Sequence, residues 1–271
     1  MAPRAASAPW HATRAQSSLA YRVFEDTTSG FAPTKTAFIM HGILGHGDSP
    51  SMHAPHTVEA CANDVLALAE TLQVEPDAVL GHSFGGKIAL QYLAEAQRQA
   101  WKIPEQVWVL DVLPGSAAND YANRKATASI ERVLPVLKSI PLPIHSKKQL
   151  VADLQARGIS QGESEWLTTN LKLLSASPET YAWKMDVPVV EQLFDSFLSV
   201  DLWPVVESVP LETELHFVQA DRSKMWTPQI TERMAALASQ RVFHHVLPNS
   251  DHWVHIDNPN GLLEMILPRL E

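Results

Sequence analysis

The chain has 271 residues, 45% of them hydrophobic and 19% charged, ordinary proportions for a globular protein with a sizeable core. Its net charge of −9, with acids and bases interspersed, leaves no basic footprint for nucleic acid. The single cysteine, Cys61, excludes an internal disulfide framework and suits a reducing compartment. No apolar run reaches the ~18–20 residues of a membrane span.

Residues 1–20 are rich in Ala and Ser, carry Arg4 and Arg14, and precede the first carboxylate, Glu25. That bias matches an organellar transit peptide, and a plain disordered tail shares it. Residues 1–16 are therefore expected to be a disordered tail or a transit-peptide remnant, with packed structure beginning at residue 17. A transit peptide implies a mitochondrion or chloroplast; a plain tail implies the cytoplasm. Residues 19–25 around Tyr21 alternate apolar and polar, the mark of a half-buried strand. Residues 35–40 read as a buried strand running into His41-Gly42-Ile43-Leu44-Gly45. A strand ending in His-Gly turns its backbone so that the next N–H faces a developing oxyanion. Ile43 is the candidate donor. Val58, Cys61, Val65, Leu68 and Leu72 then give a helical stripe. The spacing of His41, His46, His53 and His56 fits no helix-face ligand motif, and no cysteine or paired acid joins them, so no metal is expected.

Asp77-Ala78-Val79-Leu80 reads as a short buried strand and residues 87–93 as a helix. Between them, Gly81-His82-Ser83-Phe84-Gly85 fits G-x-S-x-G in the strand–turn–helix context that gives the pattern a mechanism. The glycines admit close neighbours, and the turn pushes the Ser83 hydroxyl out above the sheet. The helix then aims its free N–H groups at a reacting carbonyl. Ser83 is the candidate nucleophile, and the N–H of Phe84 the second oxyanion donor. The bland reading is a Gly/Ser-rich helix start that only packs tightly.

Residues 106–110 form a further buried strand, ending in Asp111-Val112-Leu113-Pro114-Gly115. An acid at a strand's carboxyl end sits on the ligand face of a parallel sheet. From 116 to 204 the character changes to helical segments at 119–137, 147–158, 163–174 and 189–199, punctuated by prolines and without strand alternation. Such a segment between two sheet strands reads as an inserted helical cap, with the core made of residues 17–115 and 205–271. The sheet resumes at 214–220 and ends in Asp221. A helix follows Pro228, residues 241–246 make the last strand, and Asn249-Ser250-Asp251-His252 leads to Pro259 and a terminal helix.

A serine hydroxyl needs a base within reach, itself oriented by an acid, and in this architecture the chain order is Ser, acid, His. His252, in a loop after the last strand, is the candidate base. His255, His244 and His245 are lesser candidates, the latter two lying within a strand. Asp111 and Asp221 both end strands, and both stand as candidate acids.

The set His41-Gly42, Gly81-His82-Ser83-Phe84-Gly85-Gly86-Lys87, Asp111-Val112-Leu113-Pro114 and Asn249-Ser250-Asp251-His252-Trp253-Val254-His255 resembles the α/β-hydrolases. It is most similar to the type called α/β-hydrolase domain-containing protein eleven, plant-type members included. The resemblance implies a mostly parallel central sheet with an inserted helical cap, a serine esterase or acyl hydrolase activity, an organellar setting and no cofactor. It favours Asp111 over Asp221 as the acid. In this fold a strand and a helix separate the His-Gly turn from a loop like His46-Gly47-Asp48-Ser49. Here the two abut, which implies that a strand–helix unit is absent after Gly45, by deletion or because this branch has a naturally shorter sheet, and the sheet is expected to be one strand short. The Tyr21 strand must then pair directly with residues 38–40 or leave an exposed edge.

The reaction expected is cleavage of a small carboxylic ester, thioester or lactone through an acyl-enzyme on Ser83. Two other readings stay open: a non-catalytic protein of this fold that binds a ligand or partner, and an inactive truncated isoform. The sequence sets no oligomeric state.

Overall fold

The computed structural model describes residues 35–40, 55–117, 131–238 and 241–270. The tail, the Tyr21 strand and the His41–Ser49 stretch fall outside these residues. Five parallel strands make the central sheet in the order β1 (Ala37–Met40), β2 (Ala78–His82), β3 (Gln106–Leu110), β6 (Glu214–Ala220) and β7 (Val242–Leu247). Helices α1 (Val58–Leu72) and α2 (Phe84–Arg98) connect the first three strands, and α8 (Pro228–Ala236) connects β6 to β7. After β7 come α9 (Val254–Asp257) and α10 (Pro259–Leu270).

All five residues of β2 and all five of β3 are buried. Such continuous burial is expected of parallel strands covered on both faces. Their alternation still sorts side chains by face. Val79, Val107, Val109, Leu215 and Phe217 join the core shared with α1 and α2. Ala78, Leu80, Trp108, Leu110, Val218 and Ala220 pack on the opposite side with Leu262 and Ile266 of α10. The register places Leu80 beside Trp108 and His82 beside Leu110, so β2 and β3 end level. β1 pairs with β2 alone among the described residues, and Ile39 is 79% exposed there.

Between the adjacent strands β3 and β6 the chain inserts α3 (131–138), α4 (Lys147–Ala156), α5 (Gln161–Thr168), a β4–β5 hairpin (Leu171–Ala176, Glu179–Trp183), α6 (Val187–Ser199) and α7 (Trp203–Glu207). The helix expected over 163–174 is replaced. A capping box, Ser160 with Glu163, starts α5 at Gln161, and the helix ends at Thr168. Thr169 and Asn170 follow, and Leu171 enters an antiparallel strand. The reason lies beyond the segment. Tyr181 and Trp183 are aromatic β-formers that pair with Leu173 and Leu171. Tyr181 also bridges Ile144, so the local helical pattern yields to strand pairing.

Candidate active site

The turn from β2 into α2 leaves no space for side chains at two positions. A Cβ on Gly81 would lie 1.9 Å from the Gly85 carbonyl oxygen, and one on Gly86 would lie 2.5 Å from Val112 Cγ1. Between them Ser83 is held at φ 53°, ψ −117°, a backbone conformation that L-residues seldom adopt. Its N–H donates to the Leu110 carbonyl at 3.0 Å, which ties the turn to the end of β3. Phe84 is the first residue of α2. Its N–H is one of those a helix cannot satisfy internally. Ile43, the other candidate donor, lies outside the described residues.

Ser83, His252 and Asp111 meet in a line. The Ser83 hydroxyl stands 3.1 Å from His252 Nε2, and His252 Nδ1 stands 3.0 Å from Asp111 Oδ2. A carboxylate only accepts, so Nδ1 carries the proton and Nε2 presents its lone pair to the serine O–H. Asp111 is fully buried. Its other oxygen, Oδ1, accepts from the Trp226 indole N–H at 2.9 Å and the Ala220 N–H at 3.2 Å. These donors replace the water that a buried carboxylate loses. Asp111 takes φ 42°, which turns the chain immediately after β3, and its own N–H donates to the Val218 carbonyl.

Asp221 is placed differently. Its carboxylate is exposed and accepts the N–H groups of Asn249 and Ser250 at 2.8 and 2.9 Å. Those two bonds, first Ser250 and then Asn249, hold its carboxyl below the usual range. It braces the loop that carries His252, and no bond joins it to the imidazole among the described residues. His244 faces Gln219 Oε1 at 2.9 Å, and His245 Nε2 lies 3.0 Å from His216 Nδ1. Both therefore serve the β6–β7 side of the sheet. His255 packs edge-on to His82, with ring centroids 5.0 Å apart.

A further residue at the site is His82, which in the sequence pattern is only the variable position of the elbow. Its Nε2–H donates to the His252 carbonyl at 2.6 Å, so the residue before the serine holds the backbone of the base. Burial, with the neighbouring His252, pushes its pKa down to about 4. His82 is therefore a neutral donor at neutral pH. Its other nitrogen, Nδ1, is buried without a hydrogen-bond partner among the described residues.

The comparisons with known proteins bear on the family and the fold around this arrangement. A sequence model of the alpha/beta hydrolase family matches residues 7–264. The chain belongs to the alpha/beta hydrolase family. Among the members it resembles, mouse sn-1-specific diacylglycerol lipase ABHD11 is 26% identical over 225 residues, 82% of this chain and 67% of that protein. The Escherichia coli esterase YbfF is 24% identical over 225 residues, 82% of this chain and 77% of its own. The fold matches that of a marine microorganism esterase with a TM-score of 0.68 at 19% identity, covering 86% of this chain and 94% of that one. A Mycobacterium tuberculosis esterase matches with a TM-score of 0.56 at 18% identity, over 88% of this chain and 84% of that one. This family member is accordingly a hydrolase, and its resemblance to ABHD11 agrees with the motifs quoted above.

Proposed function

We propose that the chain is a serine hydrolase of carboxylic esters, thioesters or lactones, with Ser83 as nucleophile, His252 as base and Asp111 as the acid. One observation carries this reading: the unbroken run from Ser83 Oγ through His252 to Asp111 at 3.1 and 3.0 Å. His252 Nε2 takes the serine proton as Oγ attacks the substrate carbonyl. The N–H of Phe84, together with that of Ile43, holds the negative oxygen of the tetrahedral intermediate, each donor contributing about 2.7–4 kcal/mol at the transition state. The protonated imidazole then gives its proton to the leaving alcohol or thiol, and the acyl group stays on Ser83. A water molecule deprotonated by His252 releases the acid and restores the serine.

Asp111 holds the imidazole in the tautomer that this needs and stabilises the imidazolium. The insertion between β3 and β6 acts as a cap whose aromatic residues, Phe197 beside Phe84 at 6.1 Å among them, shape the acyl side. The name of the mouse relative suggests acylglycerols as the first esters to try. A fluorophosphonate probe tests the reading: it should label the protein at Ser83 and leave Ser83→Ala untouched. Equal labelling of that variant, or a folded protein that neither labels nor cleaves a panel of acyl esters, would sink it.

A further inference from the structure

Lys87 follows Ser83 by one helical turn, and it does not reach solvent: its relative exposure is 0%. An ammonium has three N–H donors and no acceptor. Three backbone carbonyls stand around this one, those of Gly115 at 2.8 Å, Phe197 at 2.8 Å and Val200 at 3.4 Å. The Phe197 ring lies beneath it, 4.4 Å from the nitrogen to the centroid. Gly115 belongs to the loop that leaves Asp111. Phe197 lies in the last turn of α6, and Val200 is that helix's C-cap. The carbonyls at a helix C-terminus lack internal partners and carry the negative end of the dipole. One side chain from the elbow helix thus caps the helix of the insertion and holds the loop of the acid.

Neighbouring bonds show that this is a junction and not an isolated contact. The Val58 N–H donates to Ser196 Oγ at 3.0 Å. The Ala117 N–H reaches the Leu198 carbonyl at 2.7 Å, and the Leu202 N–H reaches the Pro114 carbonyl at 2.9 Å. Phe197 faces Phe84, whose N–H is the proposed oxyanion donor. Burying a charge is costly, and an unbranched apolar side chain of similar length would fill the same space without that cost. A lysine at this point therefore supplies direction, which an apolar filler lacks: its bonds fix where three pieces of backbone stand relative to Ser83.

Resting on the hydrolase reading above, we propose that Lys87 is a positioning residue. It fastens the end of α6 and the loop after Asp111 to the elbow helix, and so sets the wall against which a substrate acyl chain lies.

The test uses the full chain with Lys87→Met, which keeps the length and removes the donors, and Lys87→Gln, which keeps an amide donor on a shorter stem. For Lys87→Met, kcat/KM on a long-chain acyl ester should fall by more than about tenfold, since bonds from a charged donor are lost. Labelling of Ser83 by a small fluorophosphonate, which touches little of that wall, should slow by less than about threefold. Lys87→Gln should recover part of the chain-length preference. Amide hydrogen exchange in residues 196–202 should quicken about tenfold or more while that of β2 and β3 is unchanged.

A parallel fall in both reactivities that tracks a lowered Tm would mean that Lys87 only supports the fold, and would overturn the proposal. Unchanged exchange at 196–202 would overturn it too. If the unmodified protein is inert to probe and ester, the hydrolase reading fails alone, and the exchange measurement still decides the junction. Should Lys87→Met not fold, Phe197→Leu removes the ring under the ammonium and keeps the carbonyl. It should shift the same ratio by about threefold, and no shift would count against the proposal.

Discussion

β3 and β6 lie side by side in the sheet, and each ends in an aspartate at its carboxyl end. Asp111, after β3, is fully buried, sits at φ 42° and meets His252. Asp221, after β6, faces solvent and binds two backbone N–H groups of the loop that carries the same histidine. The two residues share a residue type, a position relative to a strand and a partner loop, yet one touches the imidazole and the other the backbone beside it. The backbone and the neighbours differ: Asp111 takes a positive φ immediately after β3, and the Trp226 indole and the Ala220 N–H donate to its second oxygen. Placement at a strand end is therefore only half of what an orienting acid needs; the other half is a set of donors that makes its burial tolerable.

The most forceful way to break this comparison is to exchange the two carboxylates for amides. Asp111→Asn should lower kcat/KM on an ester by about 10³–10⁴-fold, because the amide no longer secures the working tautomer of His252. Asp221→Asn should leave activity within about tenfold, because only bonds to a loop are weakened. Equal losses in the two variants would dissolve the distinction.

Acid titration sharpens the contrast from the β6–β7 side, where Asp221 also stands. His216 stacks on Trp108 with centroids 4.0 Å apart and is 1% exposed. Burial, then the nearby His245, Arg269 and Arg241, push its pKa down to about 3. Burial likewise pushes His245 to about 4. In the unfolded chain both titrate near 6.5, so between that pH and about 4 the unfolded state binds more protons. The stability these neutral rings allow is complete above about pH 6.5 and is lost as pH falls towards 4. The loss by pH 4 should be on the order of 3 kcal/mol for His216, visible in urea melts at stepped pH. His216→Phe, flanked by Trp108 and Phe243, should flatten that slope. A slope equal to that of the unmodified chain would show that the ring does not carry it.

Smaller effects follow at the two aspartates' partners. Asp221→Ala frees the N–H groups of Asn249 and Ser250 and should lower the midpoint of chemical denaturation slightly, with the slope of the transition unchanged. Trp226→Phe removes one donor from Asp111 and should lower kcat by about two- to tenfold, with Tm little changed. A loss as deep as that of Asp111→Asn would mean that the indole does more than satisfy the carboxylate.

Much of the site is legible in the amino-acid sequence alone. Gly81, Ser83 and Gly85 lie between a buried strand and a helix, and that context has few other uses. His252 is marked by its place after the last strand. The acid is not legible in the same way, since Asp111 and Asp221 are equivalent as strand-end residues until the backbone angles and the position of Trp226, 115 residues away in the chain, are known. His82 looks like a variable position because its bond is to a loop 170 residues distant. Lys87 stands in the sequence as the last residue of the elbow motif, and its burial against the Gly115 loop and the end of α6 is not read from that motif. The hairpin from Leu171 to Trp183 escapes a local reading for a related reason. Residues 163–174 lack strand alternation and read as helix, and the pairing of Tyr181 with Ile144 and Leu173 overrides that.

The crowding at Gly81 and Gly86 bears on how such a site diversifies by descent. Ser83 is partly exposed at the tip of the turn, so another side chain of similar size meets little resistance there. A single methyl group at position 81 would collide with the Gly85 carbonyl, and one at 86 with Val112. Inheritance can therefore vary the side chain at position 83 more freely than it can vary the two residues that carry no side chain. Lineages of this fold would be expected to exchange chemistry while keeping their empty positions, and a descendant that lost the glycines would lose the elbow before it found a new reaction.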